Sequence, residues 1–186
     1  KVRRDYLGFD STRLLRVDIN GSVVDEILFD AYARHGTMSP DSTKTLFIRE
    51  GGNLLYRKGY RGSKSSQIWL HDSERKDFKQ ICVENYGCRS PLWKPDGSGF
   101  YFVCDKNGTF NLWEKDFSTS SVNQLTFFKT DSVIMPSISR DGGTIIFRKG
   151  FDFYKYYPNS GKKPSKINLW RRQDVHIAPS RRRWYD

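Results

Sequence analysis

Between positions 90 and 128 the chain is a series of short apolar runs cut by clusters of turn-forming residues. Residues 100–104, Phe-Tyr-Phe-Val-Cys, are the most compact run. Residues 90–94 precede it, with Pro95-Asp96-Gly97-Ser98-Gly99 as the turn between. Asp105-Lys106-Asn107-Gly108 follows, and Asn-Gly is a strong hairpin signal because both residues tolerate positive φ. Residues 111–117 and 122–128 complete the stretch, with a turn at 118–121. Four strands joined by three turns predict an antiparallel meander. A meander of about 40 residues is the size of one β-propeller blade.

A repeat needs further copies, and the chain holds them. Ser39-Pro40-Asp41 and Ser139-Arg140-Asp141-Gly142 both precede apolar strands, as Asp96 does. Asp41, Asp96 and Asp141 stand 55 and 45 residues apart. Residues 67–72, with Trp69, match residues 111–116, with Trp113, and residues 13–18 and 151–156 supply further copies. The last strands also align at 79–82, 123–126 and 165–168. The expected fold is therefore all-β: a partial β-propeller of about three complete four-stranded blades and a fragment of another. Residues 1–31 form the partial N-terminal blade, with strands expected at 6–9, 14–18 and 23–29. Complete blades occupy 32–84, 85–127 and 128–170, and residues 171–186 are a basic tail or a closing strand, with a short strand at 175–177. The first complete blade is longer because residues 50–66, rich in Gly, Tyr and Arg, interrupt it. Long loops on rigid scaffolds carry function.

Charge and composition narrow the function classes. The 186 residues carry a net charge of +11. Lys and Arg are nevertheless spread over turns and strand exteriors, and the one dense cluster is Arg171-Arg172 with Arg181-Arg182-Arg183. Nucleic acid is thus not the expected partner. No run approaches the roughly 18 apolar residues of a membrane-spanning helix. The three cysteines, Cys82, Cys88 and Cys104, are an odd number without CxxC spacing. They read as core thiols rather than as a disulfide framework or a metal site.

A longer ordered string is more specific than the turns. Gly59-Tyr60-Arg61-Gly62-Ser63, Ile68-Trp69, Trp93-Lys94-Pro95-Asp96-Gly97, Thr109-Phe110-Asn111-Leu112-Trp113, Gln124-Leu125-Thr126-Phe127, Pro136 to Gly142 and Gly150-Phe151-Asp152 follow one another. This string resembles the N-terminal propeller of tricorn-like serine proteases, and its turns resemble TolB-type repeats. The resemblance covers residues 37–170. It implies a larger parent with six or more blades, a PDZ-like domain and a serine-peptidase core, in which the propeller guides peptides to the catalytic chamber. It also implies that this chain is a non-catalytic portion, with the rest of the parent chain as partner. The alternative is a stand-alone TolB-like interaction propeller.

The residues themselves offer no catalytic set. There is no Gly-x-Ser-x-Gly elbow. Ser-x-x-Lys occurs at Ser73 and Ser160, but both fall in turns between third and fourth strands, where Ser and Lys are expected. His35, His71 and His176 lie in separate segments without metal-ligand spacing, so no metal or cofactor is expected. The recurring aspartates fit tight turns, and Trp69 and Trp113 fit packing between blades. Asn107-Gly108-Thr109 has the form of a glycosylation sequon, but the turn itself calls for Asn-Gly. The candidate site lies in the interrupting segment. There Tyr56, Arg57, Tyr60 and Arg61 are placed to present aromatic hydroxyls and cations to a peptide. An ordered loop covering a blade edge is the plainer account of the same residues. An arc with open sheet edges is also expected to associate with a second copy.

Overall fold

A computed structural model of the chain describes residues 3–6, 9–17, 19–20, 26–49, 58–82 and 86–170. Three four-stranded antiparallel sheets follow one another along the chain. The first contains β5 (Arg34–Met38), β6 (Lys44–Arg49), β7 (Gln67–Asp72) and β8 (Asp77–Gln80). The second contains β9 (Cys88–Trp93), β10 (Gly99–Cys104), β11 (Asn111–Asp116) and β12 (Val122–Gln124). The third contains β13 (Val133–Ile138), β14 (Ile145–Lys149), β15 (Asp152–Tyr156) and β16 (Ser165–Lys166). Each strand pairs with its chain neighbours in simple sequential order, the topology of a propeller blade. Ahead of them stand two short pairs, β1 (Arg3–Tyr6) with β2 (Phe9–Ser11), and β3 (Leu15–Arg16) with β4 (Glu26–Ile27). Of the strand expected at residues 6–9, Tyr6 closes β1 and Phe9 opens β2, the two pairing with each other, and residues 7 and 8 lie outside the described residues. The expected 175–177 strand and the basic tail lie outside the described residues.

The recurring aspartate builds each first turn by the same local bonds. Asp41 accepts the Thr43 N–H at 3.1 Å and the Ser39 hydroxyl at 2.5 Å. The Ser39 oxygen accepts the Lys44 N–H at 2.9 Å. Asp141, Gly143, Ser139 and Thr144 repeat this set in the third blade. In the second blade Lys94 replaces the serine, and Ser98 gives Asp96 both its N–H, at 3.0 Å, and its hydroxyl, at 2.8 Å. These donors favour the carboxylate form: the Ser39 hydroxyl, then the Thr43 N–H, lowers the Asp41 pKa to about 2. The residue after each aspartate is left-handed, with φ of 60° at Ser42, 71° at Gly97 and 73° at Gly142. At the opposite hairpin Gly108 has φ 82°, while Asn107 is not left-handed.

Alternation along the second strands assigns every face. Phe100 and Phe102 join Leu46 and Ile68 in the core between the first and second blades. Tyr101 and Val103, pointing the other way, join Ile145 and Phe147 in the core between the second and third. β10 is consequently buried at all six positions. Phe47 turns back toward Phe29 and Ala33 of the N-terminal segment. In β14 the same rule places Ile145 and Phe147 inward, and Ile146 away from the second blade. Ile146 is 43% exposed, whereas Tyr101 and Leu46, five residues after their own turn aspartates as it is, are 5% and 0% exposed. Met135 and Phe153 are likewise exposed on the third blade. The arc therefore ends in a sheet face with the side chains of a blade contact and no blade against it among the described residues.

Candidate functional site

Antiparallel order puts the β6–β7 excursion, the β10–β11 turn and the crossings between blades at one end of the arc. Residues 58–66 of the excursion do not stay with their own blade. The Gly59 N–H donates to Asp105 Oδ2 at 2.8 Å, on the turn of the second blade. The Arg61 guanidinium donates to both carboxylate oxygens, at 3.1 and 3.0 Å. The Gly87 N–H completes the set with a 2.9 Å bond to Oδ1. The Asp105 side chain is 1% exposed, so a buried carboxylate with four donated contacts holds the excursion in place. Lys58 reaches further, donating to the Thr130 carbonyl at the entry to the third blade. The segment thus ties three successive blades together.

Around this clamp the side chains form a polar groove of about 250 Å³, lined by Arg61, Ser63, Ser65, Gln67, Gln80 and Tyr86. Arg61 lies over the Tyr86 ring, 4.9 Å from its centroid. Tyr60 folds back over Gly62, close to where a Cβ would lie, so a larger residue there would make the phenol swing aside. The Ser65 hydroxyl and N–H then tie off the bend by donating to the carbonyls of Tyr60 and Gly62. Of the residues expected to contact a peptide, Tyr60 and Arg61 are therefore brought to the groove region. Tyr56 and Arg57 lie outside the described residues. Much of the Arg61 charge is directed at Asp105, although its side chain remains 37% exposed.

Asp105 itself was not legible as part of the site. Its position, after an apolar strand and before Asn-Gly, marks a hairpin turn. The same turn does form, with the Gly108 N–H donating to the Asp105 carbonyl at 2.9 Å. Only the arrival of a loop from 44 residues away gives the carboxylate its second role. A second buried network steadies the next crossing. Asn111 donates to the Phe128 carbonyl at 3.0 Å and accepts the Phe128 N–H at 2.8 Å and the Thr126 hydroxyl at 2.9 Å.

The two Ser-x-x-Lys sites are turns. The Ser73 hydroxyl donates to the Thr43 carbonyl at 2.7 Å, and the Ser160 hydroxyl to the Tyr157 carbonyl at 2.8 Å. His71 is 8% exposed and packs between Phe29 and Phe78, with ring centroids 4.6 and 4.7 Å away. His35 is exposed, and His176 lies outside the described residues.

Residues 2–162 match the family model of the tricorn protease N-terminal β-propeller domain. The chain belongs to that family. It is similar to the tricorn protease homolog of Saccharolobus solfataricus, with 26% identity over 126 residues that make up 68% of this chain and 11% of the relative. It is also similar to the TolB homolog of Chlorobium chlorochromatii, at 29% identity over 52% of this chain and 20% of that protein. The crystal structure of the tricorn protease superposes with a TM-score of 0.73 and 26% identity, over 90% of this chain and 16% of that one. The family's propeller and the open arc agree: the chain is a run of blades, and it spans about a tenth of the tricorn-type relative's length.

Proposed function

We propose that this chain is the non-catalytic propeller portion of a tricorn-type serine protease, and that its excursion end binds peptides on their way to a catalytic core elsewhere in the parent. The observation that carries the reading is the anchoring of residues 58–66 by the buried Asp105. A loop bolted across blades presents Tyr60, Arg61 and Ser63 beside Gln80 of β8 in a fixed arrangement, which lowers the ordering cost of binding. Tyr56 and Arg57 belong to the same proposed surface. Peptide carbonyls and a terminal carboxylate are the groups such donors recognise. The exposed Ile146 and Phe153 of the third blade are the surface proposed for the chain's expected partner, the rest of the parent. In the isolated chain a second copy would cover that face, giving dimers by light scattering.

The test is binding of labelled peptides, followed by fluorescence anisotropy. Tyr60→Phe and Ser63→Ala together are expected to weaken binding about tenfold, as the loss of roughly 1.4 kcal/mol implies. Unchanged affinity in the doubly substituted protein would refute the groove as the peptide surface. The second reading, a TolB-like interaction propeller, is favoured by the similarity to the TolB homolog. It predicts a parent gene too short for a peptidase domain.

A further inference from the structure

The three cysteines converge on one place. Cys88 opens β9 and Cys104 closes β10, and they are direct cross-strand partners. The Asp105 N–H donates to the Gly87 carbonyl at 3.4 Å, one residue outside the pair. The Cys88 N–H points the other way, to the Ser66 carbonyl at 3.0 Å. Cys88 and Cys104 are therefore a non-hydrogen-bonded pair, the kind whose Cα atoms approach to about 4.5 Å. That lies inside the range of roughly 4.4–6.8 Å that a disulfide spans. Both side chains are 3% exposed and lie in the core facing the first blade. Cys82, in the crossing from β8 to β9, is only half-buried and packs against the same core. Cys104 and Cys82 are the neighbours that act most strongly on the Cys88 thiol. All three line a cavity of about 210 Å³ between the blades, with Trp113 on its wall and Lys106 and Lys115 also lining it.

We propose that this trio is a thiol-oxidation site for low-molecular-weight disulfides of the glutathione class, entered at Cys82 and ending as a Cys88–Cys104 disulfide across β9 and β10. Exposure decides the order. Cys88 is buried, and the neighbouring thiols together with burial push its pKa well above the usual thiol value. It is a poor first nucleophile for that reason. The Cys82 thiolate, its proton given to solvent, attacks one sulfur of the small disulfide. That S–S bond breaks, a mixed disulfide forms on Cys82, and one small thiol leaves. Cys88 then loses its proton and attacks the Cys82 sulfur, forming a Cys82–Cys88 bond and expelling the second small thiol. Cys104 in turn attacks Cys88, and Cys82 departs as a thiolate that takes up a proton. In total Cys88 and Cys104 lose two electrons and two protons, and the small disulfide is reduced to two thiols. The end product joins two strands already in register, so no strand has to move.

The test is incubation of the native protein with oxidised glutathione, followed by alkylation, proteolysis and mass spectrometry. The expected result is a peptide linked through Cys88 and Cys104, with Cys82 free to be alkylated. The same treatment in denaturant should instead yield a mixture of pairings. Cys82→Ser is expected to slow formation of the native link at least tenfold. Cys88→Ser should leave glutathione trapped on Cys82. A Cys82–Cys88 bond as the stable end product in the wild-type protein would overturn the assignment. So would three free thiols after prolonged native oxidation. Both readouts use the unsubstituted chain, so a poorly folding variant does not spare the proposal.

Discussion

Asp105→Asn is the most informative single change. The two oxygens of Asp105 receive only donors: Gly59 and Gly87 N–H groups and the Arg61 guanidinium. Asparagine offers one acceptor oxygen and one NH2, so whichever way it lies, a donor meets donors. At least one backbone bond and one charge-assisted contact are lost. A charge-assisted hydrogen bond contributes about 1.5–3 kcal/mol, and an orphaned buried donor costs about 1–3 kcal/mol. Arg61 is partly exposed and Gly59 is exposed, so solvent recovers some of this. The net expectation is about 3 kcal/mol, or roughly two powers of ten in the folded-to-unfolded ratio. Urea denaturation measures the global part. Trypsin measures the local part, because Lys58, Arg61 and Lys64 become cleavable once the excursion lifts. Arg61→Met tests the charge separately: it keeps an aliphatic stem against Tyr86 but leaves the buried Asp105 carboxylate with two backbone donors and without the guanidinium, so it should cost at least as much as Asp105→Asn. An Asp105→Asn protein within about 0.5 kcal/mol of the parent, cut by trypsin at the parent rate, would refute the clamp.

Further changes separate local from tertiary causes. Gly97→Ala and Gly142→Ala both place a side chain at positive φ, at about 1 kcal/mol each, but only Gly142 would drive its Cβ to 2.7 Å from the Pro95 ring. Gly142→Ala should therefore be more destabilising by about 1–3 kcal/mol in chemical denaturation, and equal losses would refute that inter-blade contact. Ser42→Gly, at the same turn position in the first blade, is expected to stabilise by several tenths to about 1 kcal/mol, read as a raised Tm. His71 has its pKa lowered from 6.5, chiefly by burial against the pull of Asp72 and Asp77. A depressed histidine contributes stability above pH ~6.5 that is lost as pH falls through the folded value, so the denaturation midpoint should drop on acidification and His71→Phe should flatten that drop.

How much of this was legible in the sequence follows from the range of each interaction. The three blades come from short apolar runs and from turns whose bonds span two to five residues, as in Ser39, Asp41 and Lys44. Such bonds form wherever the local residues permit, so repetition of the residues predicts repetition of the structure. Side-chain direction is equally local, because a strand alternates faces, and that is why Phe100 and Tyr101 had to serve two different cores. What lay beyond reach was the pairing of segments distant along the chain. Nothing near Asp105 announces that Gly59 and Arg61 will arrive at its carboxylate, 46 and 44 residues away. Nor does an odd number of cysteines announce that Cys82, Cys88 and Cys104 share one cavity wall. The amino-acid order determined the blade and its copies. The stacking of one blade on the next decided which polar groups lost their water, and a buried charge or thiol takes its role from the neighbours that replace that water.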